Sequence, residues 1–513
     1  MAIRKQLASV FLLVIATSLP GWSTEVTTWA SSLTPPATPI QVYPRTQCHK
    51  YWHFQNYLHW WKDRPLKTDR SLRPAVVDGQ LVTPGSDVAA VKASMIRDAE
   101  LAKLYQVDGM GSFASTWYQE PSYEVYLDAL AGAGTVGYKH CMEIGIGIDA
   151  AFIRPALAKA LASPFSAKLN GKVFISSYEL DKIGPDAIAA MRQALLGEFG
   201  STFVLVVEMS AVTADMQRLY RSGQLSTSPS ATLDGLKQVL RLYLNAADGI
   251  MVESVHHMED VTAARYDNRF DIGFYKNCLI PIFKSVLAEP AYTGKLLGLG
   301  VAAGYPNNRT GDNNSEECTR RLRYTFEAAI NAAPKFIIMP EWNEQNENTS
   351  LQPTIINSWT HRRITEYYMR TIKGLPLAAR EGDDPALPNC IVSYRKELKL
   401  GETLEIELLN VPDSTSTAAY TATLSLENTA GTVVKTFAPV SFTRNVLRDH
   451  TRSVGSETLA ASAILRPVLT IQQSTAPMTR TYKDGLLHVA VRPTWTQDYQ
   501  TVKQPLRDLA TLG

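Results

Sequence analysis

The chain has 513 residues, 45% of them hydrophobic and 19% charged, with a formal net charge of +2. Those values exclude a disordered or fibrous chain and describe a globular protein of more than one domain. Positive and negative charges nearly cancel and no Lys/Arg block stands out, so a neutral partner is expected rather than nucleic acid.

The opening stretch "MAIRKQLASVFLLVIATSLPGWST" sets Arg4 and Lys5 before an apolar run from Leu7 to Leu19, with small residues after it. This is the layout of a secretory signal peptide, assigned to residues 1–24, and the run is short for a membrane span. Cleavage is expected between Gly21 and Ala30, with the stretch excluded from the fold and the mature protein secreted or periplasmic. No later segment offers the ~18 uninterrupted apolar residues of a spanning helix. Cys48, Cys141, Cys278, Cys318 and Cys390 form no C-x-x-C pair, which argues against a zinc site. An oxidising compartment would allow up to two disulfides among them.

Strand-like and helix-period segments then alternate. The expected strands are residues 48–56, 107–114, 138–147, 172–178, 203–209, 249–254, 295–305 and 335–342, with helical patterns between them. Pro185 stands near one helix start and Ser86 or Asp87 suits an N-cap. Eight such units predict a parallel (β/α)8 barrel over residues 40–376. A doubly wound open sheet is the competing arrangement, but no G-x-G-x-x-G follows a first strand. After a Pro-, Gly- and Asp-rich linker, residues 377–389, the pattern changes to period two in "ETLEIELLN", "AAYTATLSLEN", "TVVKTF" and "LLHVAVRP", with "NTAG" at a hairpin turn. Residues 390–513 are therefore expected to form a β-sandwich.

Barrel enzymes place their chemistry at the C-terminal ends of the strands. Those positions hold His53 and Asn56, Asp108, Glu143, Tyr178, Glu208, Glu253, Tyr305, and Trp342, Asn343, Glu344 and Glu347. Carboxylates, amides and aromatic rings suit a sugar, whose ring faces stack and whose hydroxyls need hydrogen-bonding partners. Glu344 and Glu347, three apart, would ordinarily be a solvated helix face. Behind an eighth strand they can instead serve as the paired carboxylates of a glycosidase. His256 and His257 are adjacent and do not face each other on a helix, so no metal site is expected there. Three glycosylation sequons, at residues 308–310, 313–315 and 348–350, bear on the protein only in a host that glycosylates.

The stretch "WNEQNENTSLQP" resembles the W-N-E-W-x-E-G-T-x-I-E-P pattern of glycoside hydrolase family 99, the endo-α-mannosidases, and the W-N-D-x-x-E-S stretch of family 71, the α-1,3-glucanases. The resemblance implies that Glu347 is the general acid/base and Glu344 the other catalytic carboxylate, acting in family 99 on the substrate's own 2-hydroxyl. "AKLYQVDGMGSF" and "LNGKVFISSYE" are more loosely similar to family 71 segments. Gln345, Asn348 and Gln352 depart from both patterns. The expectation is an exported hydrolase of an α-linked glycan, endo-acting by analogy, with no cofactor. Its alternatives are a catalytically inactive carbohydrate-binding barrel and a polysaccharide lyase; a serine esterase is disfavoured because G-x-S-x-G is absent.

Overall fold

The computed structural model describes residues 26–31, 33–47, 88–114, 122–134, 137–260, 269–307, 312–344, 349–354, 357–380, 382–398, 401–455, 459, 464–475, 477–482, 487–489 and 501–507. Eight parallel strands form the barrel: β1 (Gln41–Pro44), β2 (Gly109–Phe113), β3 (Lys139–Ile144), β4 (Lys172–Ser177), β5 (Phe203–Glu208), β6 (Gly249–Val252), β7 (Leu296–Gly300) and β8 (Phe336–Met339). They are paired in the order β1-β8-β7-β6-β5-β4-β3-β2. The ring is closed by hydrogen bonds between β1 and β2, from Asp108 N to Val42 O at 3.0 Å and from Thr46 N to Gly111 O at 2.8 Å. The barrel therefore replaces the open-sheet alternative.

Seven strands lie where the period placed them. The first does not: β1 is the short "QVYP", and residues 48–56, with His53 and Asn56, lie outside the described residues. Helices follow the strands as α1 (Val88–Lys103), α2 (Ser122–Ala133), α3 (Ala150–Ala162), α4 (Pro185–Phe199), α5 (Ser210–Arg221), α6 (Ala231–Ala246), α7 (Ile280–Leu287), α8 (Arg320–Ala332) and α9 (Thr360–Ile372). Asp149 caps α3 by accepting from the amides of Ala151 and Phe152, and Ser230 caps α6 through Leu233 N. α5 is a second helix in the β5–β6 crossover that the sequence reading passed over.

Alternation along each strand sorts the core into two parts. One set of side chains packs outward under the helices. The other fills the barrel with Tyr43, Cys141, Phe174, Val204, Val206, Met251, Leu296, Phe336 and Ile338. Beyond Leu296, β7 contributes space instead of bulk: a Cβ on Gly298 would stand 2.2 Å from the Phe336 ring, and one on Gly300 would stand 2.4 Å from Glu253 O. The plug is solid.

Two antiparallel sheets make the sandwich. One runs 26–30, 448–455, 403–410, 390–395 and 501–505; the other is built around 464–472 and 419–428. Residues 26–30 are thus the edge of the first sheet, paired in register with Arg448–Arg452, although they lie inside the window expected for signal cleavage. Strand Thr403–Asn410 was expected to alternate core with solvent. Instead Leu404, Ile406 and Leu408 enter the sandwich, while Glu405, Glu407 and Leu409 face the barrel. The "NTAG" turn is in place, with Gly431 at φ 82° and Asn428 Oδ1 accepting from Ala430 N and Thr432 N. Cys141, Cys278, Cys318 and Cys390 are buried free thiols, so no disulfide joins these four. Among the described residues no helix is long and apolar enough to cross a membrane.

Candidate active site

The plug residues point to the site above them. On β1, Tyr43 faces inward, so Arg45 does too; the same step of two leads from Cys141 to Glu143, from Val206 to Glu208 and from Met251 to Glu253. At the C-terminal mouth the apolar filling thus gives way to a layer of one cation and several carboxylates. Glu341, just beyond β8, completes it.

Arg45 is the centre of this layer and is almost fully buried. Its Nη1 lies 2.8 Å from Glu143 Oε1 and 2.6 Å from Glu253 Oε1. Its Nε donates to Glu341 Oε1 at 2.7 Å, and Nη2 pairs with the same oxygen. Tyr178 stacks over the guanidinium, 4.7 Å from the ring centroid, and Phe113 stands at 5.7 Å. Those two half-buried rings meet edge to face at 6.1 Å. They are the aromatic wall of the mouth.

One guanidinium cannot balance so many carboxylates. Burial pushes Glu143 up to about 7, with Arg45 pulling down and Glu341 and Glu208 pushing further up. Burial likewise raises Glu253 well above the usual carboxylate range, against the pull of Arg45. Burial alone would lower the pKa of Arg45, but Glu143, Glu253 and Glu341 outweigh it and hold it above its ordinary value. Neither Glu143 Oε2 nor Glu253 Oε2 has a hydrogen-bond partner among the described residues. A carboxyl that keeps its proton near neutrality beside ionised neighbours is what acid–base chemistry requires.

The β8 loop is fastened across this layer. Trp342 N donates to Arg45 O at 2.6 Å, Gln47 N to Asn343 Oδ1 at 2.8 Å, and Gln47 Nε2 to Glu341 Oε2 at 2.9 Å. The loop also closes on itself, through Thr349 N to Glu344 O, Leu351 N to Glu341 O and Gln352 N to Trp342 O. Glu344 is buried within this braced loop. Glu347 lies outside the described residues.

The other expected site residues divide. Glu253 and Tyr178 belong to the mouth as described. Asn343 serves as a loop brace. Glu208 spends both oxygens on neighbouring loops, Oε2 accepting from Glu179 N at 2.5 Å and Oε1 from Ser254 N at 3.1 Å and from the Ser254 hydroxyl. Burial raises its pKa, with those donors opposing. Tyr305 sits in a hairpin beyond β7, its ring 5.0 Å from His256 and 4.7 Å from His257. Two placements are corrections. Asp108 precedes β2 instead of ending it, so it lies at the opposite end of the barrel, accepting from Val42 N and pairing with Lys373. Trp342 is fully buried, edge-on to Tyr105 at 5.1 Å, and is a core residue.

Sequence reasoning missed Arg45, Glu341 and Phe113, and noted Glu143 only as a strand end. The alternation through the plug would have found Arg45, once β1 was placed correctly. Among the described residues no group of three or more His, Cys, Asp or Glu is arranged to hold a metal ion.

No family model matches the chain, and no curated protein matches it. The chain is similar to solved structures of glycoside hydrolases, at low identity and with TM-scores below 0.5. The GH99 endo-alpha-mannosidase of Bacteroides thetaiotaomicron is 12% identical with a TM-score of 0.39, over 59% of this chain and 91% of that one. A Bacteroides uniformis beta-glucuronidase is 9% identical with a TM-score of 0.35, over 78% of this chain but 44% of its own length. A glycosyl hydrolase family 2 member from Bacteroides cellulosilyticus is 9% identical with a TM-score of 0.29, over 81% of this chain and 61% of that one.

Proposed function

We propose that the protein is an exported glycoside hydrolase that cleaves an α-linked glycan, an α-glucan or an α-mannan, in endo mode at the C-terminal mouth of the barrel. One observation carries the reading. The loop that carries Glu344 leaves β8 beside the buried acidic layer, where Glu341, Trp342 and Asn343 are hydrogen-bonded to Arg45 and Gln47, and such bracing supports a reacting carboxylate kept in a fixed place. Glu347, three residues on, is assigned from the motif. In this reading Glu347 gives its proton to the departing glycosidic oxygen while Glu344 takes the proton of the substrate's 2-hydroxyl, whose oxygen bonds to the anomeric carbon as the glycosidic bond breaks; water then bonds to that carbon, giving a proton to Glu347, and the displaced 2-oxygen recovers its proton from Glu344. Glu344 is the second carboxylate of the pair.

The test is a screen of the purified mature protein, with Glu344→Gln and Glu347→Gln, on a panel of α-glucans and α-mannans, reading released reducing ends. Release by wild type, with both variants silent yet still binding glycan, is the expected outcome. Two variants at wild-type rates defeat the assignment of the pair. Retained glycan binding with no release by wild type selects a binding barrel, and an unsaturated product absorbing in the ultraviolet selects a lyase.

A further inference from the structure

We infer that Arg45 is a positioning residue, which sets the β8 loop, and through it Glu344, against the carboxylates of β3 and β6. This rests on the reading that the β8 loop carries the reaction. The residue grips the loop twice. Its side chain holds Glu341 through Nε and Nη2, while its own carbonyl accepts from Trp342 N at 2.6 Å. Glu341 and Trp342 are the residues from which the loop departs, and Glu344 follows two positions later.

The third arm fixes the direction of the grip. Nη1 reaches Glu143 Oε1 at 2.8 Å and Glu253 Oε1 at 2.6 Å, so the guanidinium is anchored to β3 and β6, neither of which neighbours β8 in the ring. A planar fork with five donors can serve three carboxylates at once; a lysine ammonium, a point charge on a flexible stem, cannot hold the same plane. Tyr178 lies over that plane and restricts its rotation. Barrel closure, by contrast, runs through the backbone from Asp108 N to Val42 O and from Thr46 N to Gly111 O. The side chain of Arg45 is therefore free to serve the loop.

The experiment compares Arg45→Ala and Arg45→Lys with wild type in two readouts. In turnover of the glycan found by the screen, kcat is expected to fall about 100-fold in both variants, the scale of an ångström-sized misplacement, with KM within about threefold. Guanidinium ion at sub-denaturing concentration should restore the alanine variant saturably and leave the lysine variant unchanged, which a general loss of stability would not do. In hydrogen exchange, the amides of Trp342, Leu351 and Gln352 should lose protection in both variants while those of β4 and β5 keep theirs. Wild-type kcat in either folded variant overturns the inference, as does unchanged loop protection. Should wild type cleave no glycan, the proposed function fails, and loop exchange alone decides whether Arg45 holds the loop. Should the alanine variant not fold, the lysine variant carries the same comparison.

Discussion

The Nη2 atom of Arg323 stands 2.5 Å from an oxygen of Asp449, 126 residues further along the chain, and pairs at the same time with Glu407. Arg323 is on α8 of the barrel and both acids are on the sandwich, and Trp29 of the N-terminal strand covers the guanidinium at 4.3 Å. Thr319 donates to Glu407, Arg320 pairs with Glu405, and Lys503 pairs with Glu316 at 2.6 Å across the same boundary. The sandwich is a brace against α8. Arg323→Met leaves two buried acids facing each other and is expected to cost about 3–5 kcal/mol. Chemical denaturation should show the loss in both domains together; separate transitions with an unchanged barrel would refute the brace.

The N-terminal strand gives a related expectation. A chain starting at Ser31 loses the edge strand paired with Arg448–Arg452 and the Trp29 ring, whereas a chain starting at Glu25 keeps both. The shorter chain should have the lower Tm. For the proposed export, mass spectrometry of the secreted or periplasmic fraction should find the chain cleaved before Val26, and a start after Trp29 would refute the role of this strand.

Glu143 makes the stability dependent on pH. Its carboxyl is pushed from an ordinary 4.5 to about 7 in the fold, chiefly by burial. Between those values the unfolded chain has released a proton that the fold still holds. The stability this proton confers is fully present below about 4.5 and is lost as pH rises through about 7. Glu143→Gln should flatten the fall of Tm across that window. An unchanged slope would remove Glu143 from the account.

Phe113 and Tyr178 test where the glycan lies. Each is half-buried at the mouth, and each to alanine should weaken binding to the Glu344→Gln protein about three- to tenfold, the scale of one aromatic contact. Isothermal titration with the oligosaccharide selected by the screen reads the effect directly.

Trp342 should behave differently from them. Trp342→Ala opens a void beside Tyr105 and is expected to cost about 3–5 kcal/mol, with Trp342→Phe recovering most of it. A large drop in glycan affinity with unchanged Tm would return Trp342 to the binding surface.

Local pattern was enough for much of this. The run "FVLVVE" is a barrel strand because every residue but the last is apolar, and "FIIM" is apolar throughout, so the alternation of seven strands with helices was legible. β1 was not, because four residues, "QVYP", carry too little periodicity and the aromatic stretch after them carries more. The resemblance in "WNEQNENTSLQP" drew attention to the β8 loop. It gave no hint of the arginine 299 residues before Glu344, since nothing in "YPRTQ" distinguishes a hub from a surface charge.

The sequence by itself determined the type and order of seven barrel strands and the helices between them, apart from α5, because those follow from the period of apolar residues along the chain. Tertiary structure decided which charges meet. The run "RRLR" in α8 puts three arginines in four residues, and all three are buried, Arg320 and Arg323 against Glu405, Glu407 and Asp449 of the sandwich and Arg321 against Phe270 and the His256 carbonyl of the barrel. Arg45 becomes the centre of the mouth in the same way: closing the barrel brings the ends of β1, β3, β6 and β8 together and shuts out water. A buried carboxylate then has to find a partner or keep its proton.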